Sequence, residues 1–427
     1  MPSNKNQSLL PQAEADSQSG LAKQLLGLSF TIFTVMGLLV WFAPTTSANP
    51  VFAKRFKVSC SFCHVAFPKL NSFGNMFAGN GYKFPGMEVK TLFEDLGDAN
   101  LFLENPLGLG IRVDSFLRFR NDTNVKFDVE IPTAAKLFFQ GYLTQDTVFY
   151  GYFLFNEGGE VVGMEDAFLY FNNLIDNENL DIQVGQFQVM DPVRAREQRL
   201  TFQDLRLYTT RFSRDNFDLT YQRGIQISYG KGPIQLFGGV VNGNGIGTKD
   251  TDGNFDFDTF KDPFGRITLS PVSWGSLGGF LYYGDHRPRT FSSGPANTGK
   301  IHNYFYRVGP DFQIQPSPQW ALSGQLLFGR DSNPNFSTTS PQAVHHYGSW
   351  VEVDYHYSPT VTMVLLHNLL RSKDDPMKDV HTMTGNFTYY WRTNFKSIVE
   401  ATYDIQQTSA THREKTHGGV IGLVFGF

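Results

Sequence analysis

The chain ends in HGGVIGLVFGF, where Ile421, Leu423, Phe425 and Phe427 share one parity and Val420, Gly422, Val424 and Gly426 the other. Successive side chains of a β-strand point to opposite faces, so this spacing lays an apolar row along one side. A last strand with an apolar row and a terminal aromatic residue is the pattern of a lipid-facing strand that closes a transmembrane barrel. The same parity returns upstream. In WALSGQLLFG, Trp320, Leu322, Leu326 and Phe328 oppose Ser323 and Gln325; in FKSIVEATYDIQ, Val399, Ala401, Tyr403 and Ile405 oppose Glu400, Thr402 and Asp404. Each segment reads as apolar outside and polar inside.

The connections alternate in length. Short turns fall at KGP before Ile234, SPVSWGS before Leu277, QPSPQ before Trp320, SPT after Tyr357 and RTNF before Lys396. Between them lie long polar segments at 242–262, 285–302, 330–346, 371–380 and 407–417. Short periplasmic turns alternating with long outer loops are the wiring of a transmembrane β-barrel. Further strands near 110–120, 135–143, 148–157, 164–171 and 180–188 bring the expectation to an all-β barrel of about sixteen antiparallel strands. Composition agrees: 41 Phe, 18 Tyr and 41 Gly stand against 18% charged residues, and a mean hydropathy of -0.26 excludes a bundle of membrane helices. A formal net charge of -4 offers no basic surface for nucleic acid. A soluble sandwich also has many short strands, but it needs neither the loop rhythm nor the terminal aromatic.

The N-terminus carries Lys5 and Lys23, then LLGLSFTIFTVMGLLVWF from Leu25 to Phe42, then APTTSA. This reads as a secretory signal peptide over 1–48, with Thr46 and Ala48 at the small-residue cleavage positions; the alternative is an uncleaved anchor. The expected organisation is therefore a signal peptide (1–48), a small helical segment (49–105) and an outer-membrane barrel (106–427) set in outer-membrane lipid.

Two loops carry charge. The stretch 189–216 holds Arg194, Arg196, Arg199, Arg206, Arg211 and Arg214, which either line the lumen and pair with the propionates of a bound group or with barrel carboxylates, or belong to a solvated loop or a salt-bridged barrel wall. The stretch 249–263 clusters Asp250, Asp252, Asp256 and Asp258 without EF-hand spacing; it reads as a hydrated loop ahead of a weak cation contact.

Both cysteines of the chain, Cys60 and Cys63, lie in KVSCSFCHVAF with His64 directly behind. C-x-x-C-H is the attachment pattern of c-type haem, in which two thiols bind the vinyl groups and the adjacent imidazole meets the iron. His64 is the expected proximal metal ligand and redox-site residue, and one covalent haem c is the expected cofactor. A bare CxxC would instead read as a redox dithiol or a disulfide. Met76, in FGNMF, is the candidate second axial ligand, with Met87 behind it; packing is the commoner role of methionine. Among the remaining histidines, His356 and His367 come into play if the group sits deep in the lumen.

PVFAKRFKVSCSFCHVAFPKLNSFGNMFAGNGY, followed by a barrel, resembles the fused monohaem c-type cytochrome-porins of the outer membrane, the group that includes the Fe(II) oxidases of iron-oxidising bacteria. The positions that carry the likeness are Pro50, Phe52, Ala53, Cys60, Cys63, His64, Pro68, Leu70, Phe73, Gly74, Phe77, Gly81 and Tyr82. The resemblance implies a haem segment sheltered by the barrel, Fe(II):cytochrome c oxidoreductase activity, extracellular Fe(II) as electron donor and a periplasmic c-type cytochrome as acceptor. Two other readings stand beside it: a conduit run outward to an extracellular acceptor, and a nutrient porin whose haem is structural.

Overall fold

The computed structural model describes residues 51–95, 102–104, 107–175, 179–214, 217–249, 252–256, 258–287, 301–392, 394–407 and 413–426. The signal peptide expected over 1–48, Asp250 and the terminal Phe427 lie outside the described residues.

Two small ribbons precede the barrel: β1 (His64–Ala66) with β2 (Lys69–Leu70), and β3 (Phe93–Asp95) with β4 (Phe102–Glu104). The first half of the barrel is β5 (Gly108–Arg120), β6 (Phe127–Tyr142), β7 (Thr147–Glu157), β8 (Gly163–Phe171), β9 (Asn179–Gln188), β10 (Tyr221–Lys231), β11 (Ile234–Val241) and β12 (Asp262–Val272). The second half is β13 (Gly275–His286), β14 (Asn303–Ser317), β15 (Trp320–Asp331), β16 (Val344–Ser358), β17 (Val361–Ser372), β18 (Val380–Arg392), β19 (Phe395–Gln407) and β20 (Arg413–Gly426). Each strand pairs antiparallel with its sequence neighbour, and β20 pairs with β5 from Gly418 opposite Arg120 to Gly426 opposite Arg112. That seam closes the sheet, so no strand of the barrel is left with a free edge, the condition a sheet must meet in hydrocarbon.

The outer parity is apolar as expected. Ile267, Leu269, Leu277, Leu281, Met363 and Leu365 each leave more than a third of their surface exposed. Trp274, Trp320, Tyr357 and Trp391 ring the short-turn end, and Tyr283, Tyr304 and Tyr347 stand toward the other. From Trp274 to Tyr283, at about 3.3 Å per residue and a tilt of about 40°, the strand climbs roughly 23 Å, close to the apolar band of an outer-membrane barrel.

The inner parity departs from a uniformly polar lumen. Glu352, Gln325, Thr384 and Glu400 do face inward, yet Phe264, Tyr282, Phe305, Trp350, Leu366 and Leu370 form a buried cluster on the same surface. Their partners are Val193, Leu205, Leu207, Tyr208 and Phe217, all from the connection 189–220 between β9 and β10, which folds back into the barrel. Apolar wall and apolar loop leave water together, a gain of about 25 cal/mol per Å². At this contact Tyr208 donates its hydroxyl to Gln325 Oε1 at 2.9 Å and accepts from Trp350 Nε1 at 3.1 Å.

Of the loop arginines, Arg194, Arg196, Arg199 and Arg211 pair with carboxylates. Arg194 reaches Glu352 on β16 at 2.5 Å, Arg196 and Arg199 both hold Asp204, and Arg211 meets Asp218 at 2.9 Å. The acidic loop is tied up locally: Asp256 accepts from Lys261, and Asp258 accepts backbone N–H bonds from Phe260 and Arg287.

The N-terminal segment is helical as expected, with helices Val51–Phe56 and Ser72–Gly79 around a 3-10 turn Cys60–Phe62. It is stitched to the short-turn end of the barrel. Lys83 pairs with Asp146 in the β6–β7 turn at 2.8 Å, and the Gln145 amide brackets the backbone of Val89 at 2.8 and 2.9 Å. The Phe67 carbonyl accepts from Tyr390 at 2.8 Å and from Lys396 at 2.9 Å.

Lys69 binds Asp354 and lies 3.5 Å from Glu352, the partner of Arg194, so segment, wall and loop share one ionic network. Glu352 is wholly buried. Replacing it with alanine strands the buried Arg194, so Glu352→Ala is expected to lower stability by roughly 3–5 kcal/mol. Denaturant unfolding in detergent micelles measures this, and a loss below about 1 kcal/mol, the scale of an exposed pair, would show the network to be incidental.

Candidate functional site

The run Cys60–His64 is held by residues that follow it. Asn71 caps the helix Ser72–Gly79 by accepting from Gly74 N at 2.8 Å, donates its side-chain amide to the Phe62 carbonyl at 3.1 Å, and donates its backbone N–H to the Cys63 carbonyl at 2.9 Å. Gly74 lies so close to that loop that a Cβ would stand 2.1 Å from the Cys63 oxygen. One asparagine and one glycine thus fix the turn that aims both thiols and the imidazole.

Cys60 and Cys63 are free thiols, and burial raises the pKa of each. The His64 Nδ1 lies 3.0 Å from the Pro68 carbonyl oxygen. A carbonyl can only accept, so Nδ1 carries the proton and Nε2 keeps its lone pair, the tautomer a metal-binding imidazole needs. Burial is also the largest influence on His64 and lowers its pKa, holding the ring neutral.

All three side chains border one cavity of about 130 Å³, walled by aromatic and aliphatic residues that include Phe52, Phe56, Phe77 and Phe84. A second cavity of about 300 Å³ shares His64, Phe52, Phe67, Leu70, Ala78 and Tyr82 with it. The second is more polar, and Arg112, Tyr150, Asp166, Asp191 and Glu197 also line it. Two thiols, a neutral imidazole with a free Nε2 and an apolar wall are a donor set and enclosure that fit a covalently attached haem.

The structure does not bring Met76 to this site. Met76 is 43% exposed and borders neither cavity, because the helix turns Gly74 and Phe77 inward and residue 76 falls on another face. Met87 is equally exposed and lines a separate cleft beside Lys54 and Lys90. His356 is buried in the wall, with Nδ1 3.1 Å from the Thr362 hydroxyl, and His367 lies on the outer parity 5.2 Å from the His381 ring. Among the described residues no three His, Cys, Asp or Glu side chains converge as metal ligands.

The acids of the larger cavity come from the wall and from the inward loop. Asp166 on β8 is 5% exposed, and its Oδ1 has no hydrogen-bond partner. Asp191 opens onto the internal cavities; enclosure within the barrel, then the charge of Glu197, raises its pKa above the usual carboxylate range. Glu197 behaves oppositely. Although enclosure raises its pKa, Lys136 at 2.9 Å and the nearby Arg112 and Arg199 outweigh this and hold it at about 2.

The barrel has the fold of bacterial outer-membrane porins. The outer membrane channel DcaP of Acinetobacter baumannii superposes with a TM-score of 0.55 at 14% identity, covering 75% of this chain and 97% of that one. The anion-selective porin from Comamonas acidovorans does so with 0.54 at 11% identity, covering 75% and 99%. OmpF of Salmonella typhi in complex with daunomycin gives 0.51 at 11% identity, covering 75% and 97%. No protein-family model matches the chain, and no curated protein sequence does. At these identities the likeness establishes the fold: a closed, porin-like β-barrel of the outer-membrane type.

Gly74→Ala forces the new methyl against the Cys63 carbonyl and is expected to destabilise the N-terminal segment by about 1–3 kcal/mol. Gly79→Ala is the control, since a Cβ there meets nothing within 4 Å. Thermal unfolding of both variants in micelles compares them, and equal midpoints would show that the loop yields freely.

Proposed function

We propose that this protein is an outer-membrane electron carrier in which Cys60 and Cys63 tether one haem c and His64 binds its iron, at the mouth of a barrel into which its own loop folds. The observation that carries the reading is the His64 Nδ1 contact with the Pro68 carbonyl, on an imidazole that shares an apolar cavity with two unpaired thiols. A disulfide would consume the thiols, and a dithiol redox site needs no adjacent imidazole of fixed tautomer. When bound, the haem supplies a one-electron couple; the chain supplies the tether, the ligand and a low-polarity enclosure.

The inward loop supports the same reading. A diffusion porin works through a water-filled passage, whereas here the connection 189–220 packs an apolar cluster against the inner wall and the N-terminal segment is bonded across the short-turn end. Extracellular Fe(II) is the donor and a periplasmic c-type cytochrome the acceptor that the sequence resemblance implies. The second reading, a nutrient porin with a structural haem, is favoured by the likeness to channels and porins.

Two measurements separate them. A pyridine haemochrome assay is expected to find one covalent haem per chain, lost in Cys60→Ala/Cys63→Ala. In planar bilayers the full chain is expected to pass at most about a tenth of the current of an open porin of this strand number. Full porin-like conductance decides for the channel, and a chain without covalent haem removes electron transfer by this route.

A further inference from the structure

The function proposed above assigns one ligand to the iron, and the placement of the other soft and imidazole donors bears on the second. Of the methionines, Met76 and Met87 are solvent-exposed on the N-terminal segment, Met164, Met363 and Met383 are exposed on barrel strands, and Met190 is buried in the loop cluster. Met377 is exposed in the 3-10 turn Pro376–Lys378. The histidines are as far removed. His286 holds Asp262 at 2.7 Å, His302 holds Asp285 at 2.8 Å, and His345 holds Asp374 at 3.0 Å, all beside long loops. His346 stacks on Phe212, His367 and His381 face outward, and His417 contacts Asn121. Among the described residues, neither cavity at His64 is lined by a methionine or by a second histidine.

What the larger cavity offers instead is a set of acids. Asp166, Asp191 and Glu197 line it against a single cation, Arg112, which Asp114 already holds through two bonds of 2.8 and 2.9 Å. Asp166 carries a buried carboxylate oxygen that no protein donor meets. Tyr82 and Tyr150 are the remaining oxygen donors of note. Their rings are packed face to face at 5.5 Å, with Phe52 stacked on the far side of Tyr82 at 5.2 Å.

We propose that, among the described residues, His64 is the only side chain that ligates the iron, and that the cavity beside it admits small neutral ligands to the remaining position. The inference rests on the covalent haem proposed above. Its chemical class of ligand is a small uncharged donor, for which carbon monoxide and imidazole are the probes.

The experiment uses the full chain with its haem in detergent micelles. Expected are a high-spin ferric spectrum, carbon monoxide binding to the ferrous form, and the same behaviour in Met76→Ala, Met87→Ala and Tyr82→Phe. A low-spin ferric spectrum with a ferrous form inert to carbon monoxide overturns the proposal. So does a change of spin state or carbon monoxide affinity in any of the three single variants. A chain that fails the pyridine assay overturns the function itself, a result distinct from the others because it precedes any spectrum.

Discussion

The seam between β20 and β5 is the contact on which the rest of the molecule depends. Without it, β5 and β20 would each present a row of unpaired N–H and C=O groups to lipid, at a cost of several kcal/mol per group in a medium with no water to accept them. With it, the backbone of the barrel is closed on itself, and each inward side chain becomes part of an enclosed space. Enclosure changes what the inner residues can be. Once the loop 189–220 enters, Trp350, Leu366 and Phe305 are core residues of a small protein built inside a membrane protein.

The inward loop and the N-terminal segment then solve one problem jointly. A segment as short as 51–95 has little apolar surface with which to fold alone, and its aromatic cluster of Phe52, Phe56, Phe73, Phe77 and Phe84 is modest. The barrel supplies what is missing: Tyr142 covers Val89 and Tyr82, and Tyr390 and Lys396 tie down Phe67. The network around Glu352 joins all three parts because Lys69 and Arg194 approach the same carboxylate from the segment and from the loop. Such a buried network contributes position more than net stability, since desolvation offsets much of the attraction.

Much of the architecture was legible in the sequence because a barrel repeats its signal. Period-two alternation, aromatic residues near the short turns and the long-short rhythm recur from strand to strand, so weak local evidence accumulates; the expected strands near 148–157 and 164–171 fall close to β7 and β8. The lumen was not legible, because its apolar lining depends on where one long loop goes, and alternation marks only which side a residue faces. Val424 and Gly426 share the inner parity with Thr416, yet Val424 is buried against Phe116 and Ile398. The site divides in the same way. Cys60, Cys63 and His64 are adjacent in sequence and were legible at once, and the Asn71 to Gly74 cap had a signal in its spacing. Asp166, Asp191 and Glu197 come from a wall strand and the loop, so only the fold brings them together.

The placement of Met76 is the most informative of these observations. Position 76 lies close enough in sequence to His64 for a ligand, but the helix that carries it is oriented by Gly74, whose missing side chain is what lets the helix rest on the Cys63 carbonyl. With Gly74 inward, Met76 lies two residues on, about 200° around the axis, and faces away. The same contact that holds the thiols and imidazole in place therefore removes the nearest thioether from reach. A helix rotated to deliver Met76 would have to give up the close approach at Gly74 and the burial of Phe77 against Phe52 and Phe56. The packing that builds one side of the site thus sets what is left to face the other.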